Sequence, residues 1–407
     1  MKKNAYKRII VKNVYFKKAV SCAELSLQIE KSLPVATQLL LSLVDEGIVE
    51  ETGYAKSTGG RKPVLFALKP DILYVVAVAM DQFVTRIAIM NMQNEFVGTV
   101  IKLELPLSNN KNALNILVEK VEELVENSGI LRSKFAGAGI GMPGFIDVKR
   151  GLNHSYLFSE GKSIAEYIKE KLKIPVFIDN DSSIMALAEL KFGSGFNTKS
   201  AMVVNVGWGI GLGIILNSEL YRGINGFAGE FSHVPLSSND KLCVCGKSGC
   251  LETEASLLVV VEKAMEGVRN GQVTKLKELN VDDIEQACND IIKAAQEGDQ
   301  FAIEILSYSG FKIGMGIALL IHLLNPEFVI LTGRGAAAGK ILLTPLQQAI
   351  NEYCIPSLSE YTSIKISELG ADAELIGAAA LVMENYDSES GGNAVKIKKH
   401  ERENILN

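Results

Sequence analysis

A cluster of three cysteines constrains the fold of this chain more than any other feature of its sequence. Cys243, Cys245 and Cys250 lie within eight residues, and His233 precedes the first of them by ten positions. Three thiolates and one imidazole suit a tetrahedral zinc ion, and the two glycines between Cys245 and Cys250 allow the tight backbone curl of such a site. A disulfide and a chance grouping of structural thiols are the alternatives. The spacing predicts a structural zinc site with these four ligands.

The remaining cysteines and the apolar segments are typical of a cytoplasmic protein. Cys22, Cys288 and Cys354 are isolated, which indicates core packing, and a reducing cytoplasm disfavours disulfides. No run of about eighteen uncharged apolar residues is present, and the N-terminus lacks the apolar core of a signal peptide. The most apolar stretch, 313–324, is interpreted as a buried core helix. We expect a cytoplasmic protein that does not contact a membrane.

Charge is distributed unevenly along the 407 residues, whose net charge is −5. Residues 1–70 contain twelve Lys or Arg against six Asp or Glu, a net charge of +6, and residues 71–407 contain 30 against 41, a net charge of −11. A basic head on an acidic body is consistent with a solvated basic surface or with contact to nucleic acid.

Three helices are predicted in the basic head. Apolar residues recur at helical spacing from residue 6 to residue 20, and Ser21 offers an N-cap for a second, short helix. Ser32 starts a third helix, which Gly47 ends. Because the third helix follows the second after a short turn, the pattern predicts a helix-turn-helix whose third helix enters the major groove of DNA.

Two strands follow the helices and predict a wing. Residues 48–51 and 64–68 form these strands, and the turn-prone stretch between them has a basic tip. Gln38 suits a bidentate contact to adenine, whereas the basic tip suits the DNA backbone or the minor groove. The candidate DNA-contacting residues are Ser32, Val35, Thr37, Gln38, Arg61 and Lys62.

The chain from residue 71 onward predicts two related α/β lobes with a ligand cleft between them. Strands are expected at 73–80, 84–90, 96–103 and 136–142, with a helix at 112–128. A similar strand–turn–strand start recurs later, at 201–206 and 211–216, and a buried strand follows at 328–331. We expect a head at 1–70, a body at 71–385 with lobes at about 71–190 and 191–385, and a disordered tail at 386–407.

Several motifs in the body resemble the ROK family of repressors and sugar kinases. They are Gly141-Met-Pro-Gly144, Asn180-Asp181 with Ala188-Glu189, Gly229-Glu230-Phe-Ser-His233, and the cysteine cluster followed by Leu251-Glu252. In the head, Ser32-Leu-Pro-Val35 and Ser57-Thr-Gly-Gly-Arg61-Lys-Pro63 resemble the regulator branch of that family. The resemblance runs from about Val11 to Met383. It implies an α/β protein with an N-terminal winged helix-turn-helix, followed by a two-lobed actin-like, hexokinase-like ATPase fold with a zinc-binding loop.

The same resemblance implies a hexose site. Carboxylates and an amide can bond to vicinal hydroxyls, and a zinc-bound histidine presents its second ring nitrogen in one tautomer. Asp181 also matches the general base that takes the proton of the sugar hydroxyl as it attacks the γ-phosphate of ATP. The residues that correspond to the sugar-binding positions are Asn180, Asp181, Glu230, His233 and Glu252.

The phosphate-binding motifs depart from the family pattern. The first hairpin of the family has Asp-x-Gly-Gly-Thr, but this chain has Phe83 and Val84 in place of the glycines, and both resist positive φ. Trp208 replaces the usual threonine of the second loop, between two retained glycines. We therefore predict a disabled phosphoryl-transfer site. Its remaining family positions are Asp81, Thr85, Gly207, Gly209 and Gly333.

Three functions are weighed from these observations. The first is a sugar-responsive transcription regulator, most simply a repressor, which binds operator DNA and a sugar or sugar phosphate. The second is a hexose kinase of glucokinase or fructokinase type that uses ATP and Mg²⁺ and carries an accessory DNA-binding head. The third is a structural zinc protein, which leaves the sugar-type residues without a purpose. We favour the regulator, and expect a homodimer or a dimer of dimers because such domains recognise near-palindromes.

Overall fold

The computed structural model of the protein describes residues 2–55, 62–159, 161–237, 240–277, 279–280 and 283–388. Arg61 and residues 389–407 of the predicted tail lie outside this range. The chain divides into two compact units. The first comprises Met1–Val78, Phe83–Asp179 and the chain from Leu381, and the second comprises Ala79–Gln82 and Asn180–Ala380.

Three helices and a small antiparallel sheet begin the first unit. The helices are α1 (Lys2–Lys17), α2 (Cys22–Gln28) and α3 (Leu33–Asp45), and the strands are β1 (Val20–Ser21), β2 (Val49–Tyr54) and β3 (Val64–Leu68), in the order β1-β3-β2. The three predicted helices and two predicted strands are confirmed. The predicted end of the first helix at residue 20 was wrong, because Lys18 has a φ of 62°, which ends α1. Val20 pairs instead with Phe66.

The N-termini of α2 and α3 are capped differently. Ser21 forms a capping box with Glu24, in which the Ser21 hydroxyl accepts from the Glu24 N–H at 3.2 Å and a Glu24 carboxylate oxygen accepts from the Ser21 N–H at 2.8 Å. Such a cap contributes roughly 1 kcal/mol to helix stability. Ser32, the N-cap of α3, makes no side-chain capping bond.

A five-stranded sheet forms the core of the rest of the first unit, in the order β10-β7-β4-β5-β6. Its strands are β4 (Tyr74–Met80), β5 (Val84–Asn91), β6 (Phe96–Glu104), β7 (Phe135–Met142) and β10 (Val176–Asn180). The other elements are α4 (Ala113–Asn127), a hairpin of β8 (Ile146–Asp147) and β9 (Leu152–Asn153), and α5 (Ile164–Leu172). The predicted strands and helix in this region are confirmed, whereas α5 and β10 were not predicted.

A second five-stranded sheet lies in the second unit, in the order β13-β12-β11-β14-β15. Its strands are β11 (Ser200–Val206), β12 (Ile210–Leu216), β13 (Glu219–Tyr221), β14 (Phe328–Thr332) and β15 (Ser363–Ile366). The helices are α6 (Asp181–Phe192), α7 (Glu252–Ala255), α8 (Leu257–Arg269), α9 (Ile284–Gln296), α10 (Gln300–Leu324), α11 (Lys340–Tyr353), α12 (Pro356–Ser359) and α13 (Ala373–Glu384), whose end from Leu381 belongs to the first unit. In both sheets three consecutive strands lie side by side at one edge, which agrees with the predicted repetition.

The long helix α10 belongs to the core of the second unit. It is the one helix of the described residues that is long and apolar enough to cross a membrane, and 61% of its apolar segment is buried. Ile313, Ile317 and Ile321 recur every four residues and are fully buried. The predicted core helix is confirmed, although it begins at Gln300 rather than at 313.

Candidate effector and metal site

The predicted zinc ligands come together in the second unit. The ligand atoms of His233, Cys243, Cys245 and Cys250 all lie within 4.8 Å of one another. Of the other cysteines, Cys288 and Cys354 are buried, Cys22 is half-buried, and all three are free thiols. The four-residue group is therefore the one that the spacing of the sequence indicated.

The loop that carries the cysteines folds back on itself. The Cys243 N–H donates to the carbonyl of Lys247 at 2.8 Å, which closes a tight turn. Gly246 and Gly249 have φ values of 83° and 78°, a region that strongly favours glycine. These two glycines let the thiols converge within a segment of eight residues.

The distances in the cluster fit a tetrahedral zinc ion. Cys243 Sγ lies 3.5 Å from His233 Nδ1, and Cys245 Sγ lies 3.6 Å from Cys250 Sγ. With Zn–S bonds of about 2.3 Å and Zn–N bonds of about 2.0 Å, tetrahedral angles place sulfur and nitrogen about 3.5 Å apart and two sulfurs about 3.8 Å apart. These two separations thus match those that one shared ion would impose.

His233 connects the cysteine cluster to a carboxylate. Its Nδ1 faces Cys243, while its Nε2 lies 3.7 Å from Glu230 Oε2. A metal on Nδ1 would leave the proton on Nε2, which then acts as a donor. The Glu230 side chain is 37% exposed and that of His233 is 18% exposed, so the carboxylate is accessible to a ligand.

Asn180 and Asp181 lie where β10 ends and α6 begins. The Asn180 Oδ1 accepts from the N–H groups of Ser182 and Ser183 at 2.9 Å and 3.2 Å, as the N-cap of α6. The Asp181 Oδ1 accepts from the Ser182 N–H at 2.8 Å. These bonds hold both side chains at the N-terminus of a helix, where the dipole favours negative charge.

Glu252 begins α7, two residues after the last cysteine of the cluster. One of its carboxylate oxygens accepts from the Ser232 hydroxyl at 3.3 Å and from the Ile210 N–H at 3.4 Å. A Cβ at Gly209 would lie only 2.7 Å from the same oxygen. Glycine at 209 is therefore needed for Glu252 to reach the start of β12.

Three carboxylates share this region of the second unit. Burial raises the pKa of Asp181 to about 6, with smaller contributions from the charges of Asp81 and Glu252. Burial, followed by the charges of Asp181 and Glu252, raises the pKa of Glu230 to about 7. Mutual shifts of this kind require the groups to be close. We call the five residues Asn180, Asp181, Glu230, His233 and Glu252 the polar wall.

Comparison with known proteins decides the family. The sequence profile of the ROK family matches residues 82–385. The chain belongs to the ROK family. It is 31% identical to a xylose repressor of Caldicellulosiruptor bescii over 391 residues, which cover 94% of this chain and 96% of that protein. It is 32% identical to a glucokinase of Halalkalibacterium halodurans over 302 residues, which cover 72% of this chain and 91% of that protein.

A solved structure of a ROK family transcriptional regulator, a homologue of the Escherichia coli MLC protein, has the same fold. The TM-score is 0.75 at 24% identity, with 94% of this chain and 97% of that chain covered. The predicted α/β ROK fold is confirmed.

A charged cluster lies at the ROK phosphate motifs of the second unit. The Trp208 Nε1–H donates to Asp81 Oδ2 at 3.1 Å, and Arg334 Nη2 lies 3.2 Å from the same oxygen. The Arg334 guanidinium stacks 5.0 Å from the Trp208 ring centroid and pairs with Glu285 at 2.8 Å. Trp208 is buried by these contacts. We call Asp81, Trp208, Glu285 and Arg334 the tryptophan cluster.

The other altered positions of the first ROK hairpin lie at the start of β5 and in the bend before it. Val84 pairs with Glu104 in the β5–β6 ladder, and the Phe83 carbonyl accepts from the Leu105 N–H at 2.8 Å. Neither Phe83 nor Val84 has a positive φ. Thr85 is fully buried, and its hydroxyl has no hydrogen-bond partner among the described residues. The turn between β4 and β5 therefore lacks the positive φ angles that two glycines would allow at these positions.

Two of the retained ROK glycines, Gly209 and Gly333, are required by packing. Gly207 makes only a backbone bond, in which its N–H donates to the carbonyl of Gly209 at 2.9 Å across the turn that carries Trp208. A Cβ at Gly209 would lie 2.7 Å from a Glu252 carboxylate oxygen. Gly333 has a φ of 82°, and a Cβ there would lie 2.2 Å from Asn205 Oδ1. Gly209 and Gly333 therefore need no bound nucleotide to explain them.

The candidate DNA-contacting residues of α3 lie on its outer surface. Ser32, Val35 and Gln38 are exposed, and Thr37 is half-buried. The buried residues of the helix are Ala36, Leu40 and Leu43. Lys62 is also exposed, between β2 and β3.

Four residues of the site were not predicted from the sequence. Ser182 and Ser232 bond to Asp181 and Glu252, and Glu285 and Arg334 complete the tryptophan cluster. Serine next to a ligand residue carries no sequence signal. The charge of Arg334 beside Gly333 was visible, but its partner Asp81 lies 253 residues away in the chain.

Proposed function

We propose that this ROK protein is a sugar-responsive transcriptional repressor of the cytoplasm. The observation that carries the proposal is the pairing of an ordered polar wall with the tryptophan cluster at the phosphate motifs. A sugar could then be bound without being phosphorylated, which suits a sensor. The comparisons support this choice, since the xylose repressor matches almost the whole chain and the glucokinase matches 72% of it.

The polar wall is the proposed effector site. The carboxylates of Asp181, Glu230 and Glu252 would accept from sugar hydroxyls, and Asn180 and His233 would add an amide and an imidazole. Asp181 occupies the position of the ROK general base, which here would serve binding alone. A sugar phosphate would bring a further negative charge toward this acidic wall, so we propose a neutral sugar as the stronger effector.

Zinc is the proposed structural ion of the site, held by His233, Cys243, Cys245 and Cys250. When bound, it would supply a fixed crosslink between the loop and the turn that ends at His233. All four positions are protein ligands, which is typical of a structural rather than a catalytic zinc. Glu230 precedes the crosslinked segment in the sequence and Glu252 follows it, so the crosslink would hold both carboxylates in place for the sugar.

Residues 1–70 are proposed to form a winged helix-turn-helix that binds the operator. The first turn of α3 would contact base edges through Val35, Thr37 and Gln38. Ser32 is exposed and makes no capping bond to the described residues of α3, so we propose that its hydroxyl contacts a phosphate. Arg61 and Lys62 would contact the backbone or the minor groove.

A homodimer or dimer of dimers would match a near-palindromic operator. Sugar binding is proposed to favour a state with low DNA affinity, which requires that the sugar bind the two states unequally. The body at 71–385 would contain the two lobes between which this change occurs.

The alternative is a hexose kinase that uses ATP and Mg²⁺. It is favoured by Asp181 and by the polar wall. It is opposed by the tryptophan cluster, because phosphoryl transfer depends on positioning and on charge neutralisation at the site that these side chains occupy.

The decisive experiment combines DNA selection with a sugar screen. Genomic fragments bound by the purified full chain would be sequenced, and the best fragment titrated in the presence of pentoses, hexoses and their phosphates. We expect one operator and at least one sugar that weakens its binding. Failure to select any sequence above random DNA, with and without sugars, would contradict the repressor function.

A further inference from the structure

Helix α3 carries no basic side chain. Its residues from Leu33 to Asp45 include no Lys, Arg or His, whereas α1 contains six Lys or Arg. The only charged residue of α3 is Asp45, in its last turn. In the major groove, guanine is most often contacted by Arg or Lys, which donates to O6 and N7. Helix α3 therefore lacks the commonest means of recognising a G·C pair.

The outer face of α3 offers an amide and aliphatic groups instead. Gln38 is exposed, Leu41 is 47% exposed and Val35 is 41% exposed. Spacings of three residues place Val35, Gln38 and Leu41 along one face, away from the buried Leu40 and Leu43. The glutamine amide matches N6 and N7 of adenine, and an aliphatic side chain matches the thymine methyl group.

The basic residues of the head lie outside α3, so phosphate attraction and base recognition would be carried by different residues. Residues 1–70 have a net charge of +6, supplied in part by α1 and by Lys62. Phosphate attraction of this kind does not depend on sequence. The uncharged face of α3 is thus surrounded by a basic domain, which favours a nucleic acid as its occupant.

We propose that α3 recognises a half-site core of consecutive A·T base pairs, with Gln38 bonded to an adenine and Leu41 packed on a thymine methyl group. The inference rests on the proposed function, because it assumes that α3 is the recognition helix. It adds the base composition that this helix selects and the two residues that select it.

The first test is selection from random duplex DNA by the full chain without sugar. We expect each selected half-site to have a core of A·T pairs. A well-defined operator whose half-site core is rich in G·C pairs would overturn the inference and leave the repressor function standing. Absence of any selected sequence would instead contradict the repressor function.

The second test removes single base groups from the selected operator. Replacing thymine by uracil at the contacted position should weaken binding about fourfold, the value for one buried methyl group. Leu41→Ala should be insensitive to this replacement, and Gln38→Ala should be insensitive to 7-deazaadenine. Leu131→Ala, at a 70% exposed leucine outside the head, should behave as the wild type. Equal losses in wild type and variants would overturn the assignment of these contacts.

Discussion

At the scale of single residues, the buried position of Asp181 suits the binding of a ligand but lowers the stability of the fold. Its carboxylate has to ionise in a buried position near Asp81 and Glu252, which raises its pKa from 3.8 to about 6. Bonds from Ser182 lower that pKa but do not offset burial. Groups that destabilise the fold without a structural purpose are typical of binding sites.

Replacing Asp181 by Asn should therefore stabilise the protein at neutral pH. A raised folded pKa means that ionisation destabilises the fold as the pH rises through about 6 and that the loss disappears below the unfolded pKa. We expect Asp181→Asn to raise the free energy of unfolding by about 2 to 3 kcal/mol at pH 7.5 and by roughly half as much at pH 5. Urea unfolding at both values measures this. Equal stabilities at pH 7.5 would show that Asp181 ionises without cost.

Trp208 provides a second prediction at this scale, because it is the only tryptophan of the chain. Its indole is bonded to Asp81, and the N–H of Ile210, two residues further along the chain, donates to Glu252 of the polar wall at 3.4 Å. We expect an effector sugar to change the tryptophan emission and ATP with Mg²⁺ to leave it unchanged. A coupled assay should show hexose phosphorylation below about one turnover per second. Faster turnover, or emission quenched by ATP alone, would favour the kinase.

At the scale of elements, periodicity and caps predicted most of the fold. The strands β4, β5, β11 and β12 are rich in apolar residues and bounded by turns, and the structure places them as expected. The end of α1 was missed because Lys18 adopts a left-handed conformation that its residue type does not indicate. The capping box of Ser163 and Glu166 does mark α5.

Site residues that are close together in the sequence were predicted, whereas those far apart in the sequence were not. The zinc ligands lie within eighteen residues of sequence, so their spacing alone was enough to predict that they form one site. The tryptophan cluster joins residues 81, 208, 285 and 334, whose proximity depends on strand order rather than on spacing. Long-range pairs of this kind leave no pattern in one sequence.

The zinc loop is the element on which the polar wall depends. Cys245→Ser should reduce bound zinc from one per chain to near zero, because three ligands bind this ion far more weakly than four. Sugar affinity should fall with it, since Glu230 and Glu252 flank the loop. Metal analysis of protein purified without added zinc is the measurement, and Cys22→Ser is the control. Full sugar affinity in a zinc-free protein would refute the structural role.

Helix α1 is attached to the C-terminal end of α13 within the first unit. Lys12 Nζ donates to the carbonyl of Glu384 at 2.6 Å and pairs with Asp387 at 2.9 Å. The Arg8 guanidinium lies 5.7 Å from the centroid of the Tyr386 ring. A cation at a helix C-terminus donates a hydrogen bond to an end carbonyl and interacts favourably with the negative end of the helix dipole.

Lys12→Met should loosen this attachment while keeping the aliphatic stem. The pair is partly exposed, so we expect a loss of only about 0.5 to 1.5 kcal/mol. Amide hydrogen exchange in α1 should become faster, and Lys111→Met, at an exposed lysine of the same unit, should have no effect. Unchanged exchange in α1 would show that the attachment does not stabilise the helix.

At the scale of the whole molecule, the repressor function requires the polar wall and the head to share one equilibrium. If a sugar lowers operator affinity by some factor, operator DNA must lower sugar affinity by the same factor, because the four binding steps form a closed cycle. A coupling of 1 to 3 kcal/mol corresponds to about 5- to 150-fold. We expect the sugar dissociation constant, measured by Trp208 emission, to rise by the factor by which the sugar weakens operator binding. Gln38→Ala, which removes a base contact without touching the sugar site, should leave the sugar affinity of the free protein unchanged. If saturating operator left the sugar affinity measured by Trp208 emission unchanged, the sugar would have to weaken DNA binding from a site other than the polar wall, because competition and allosteric coupling at one site are both reciprocal.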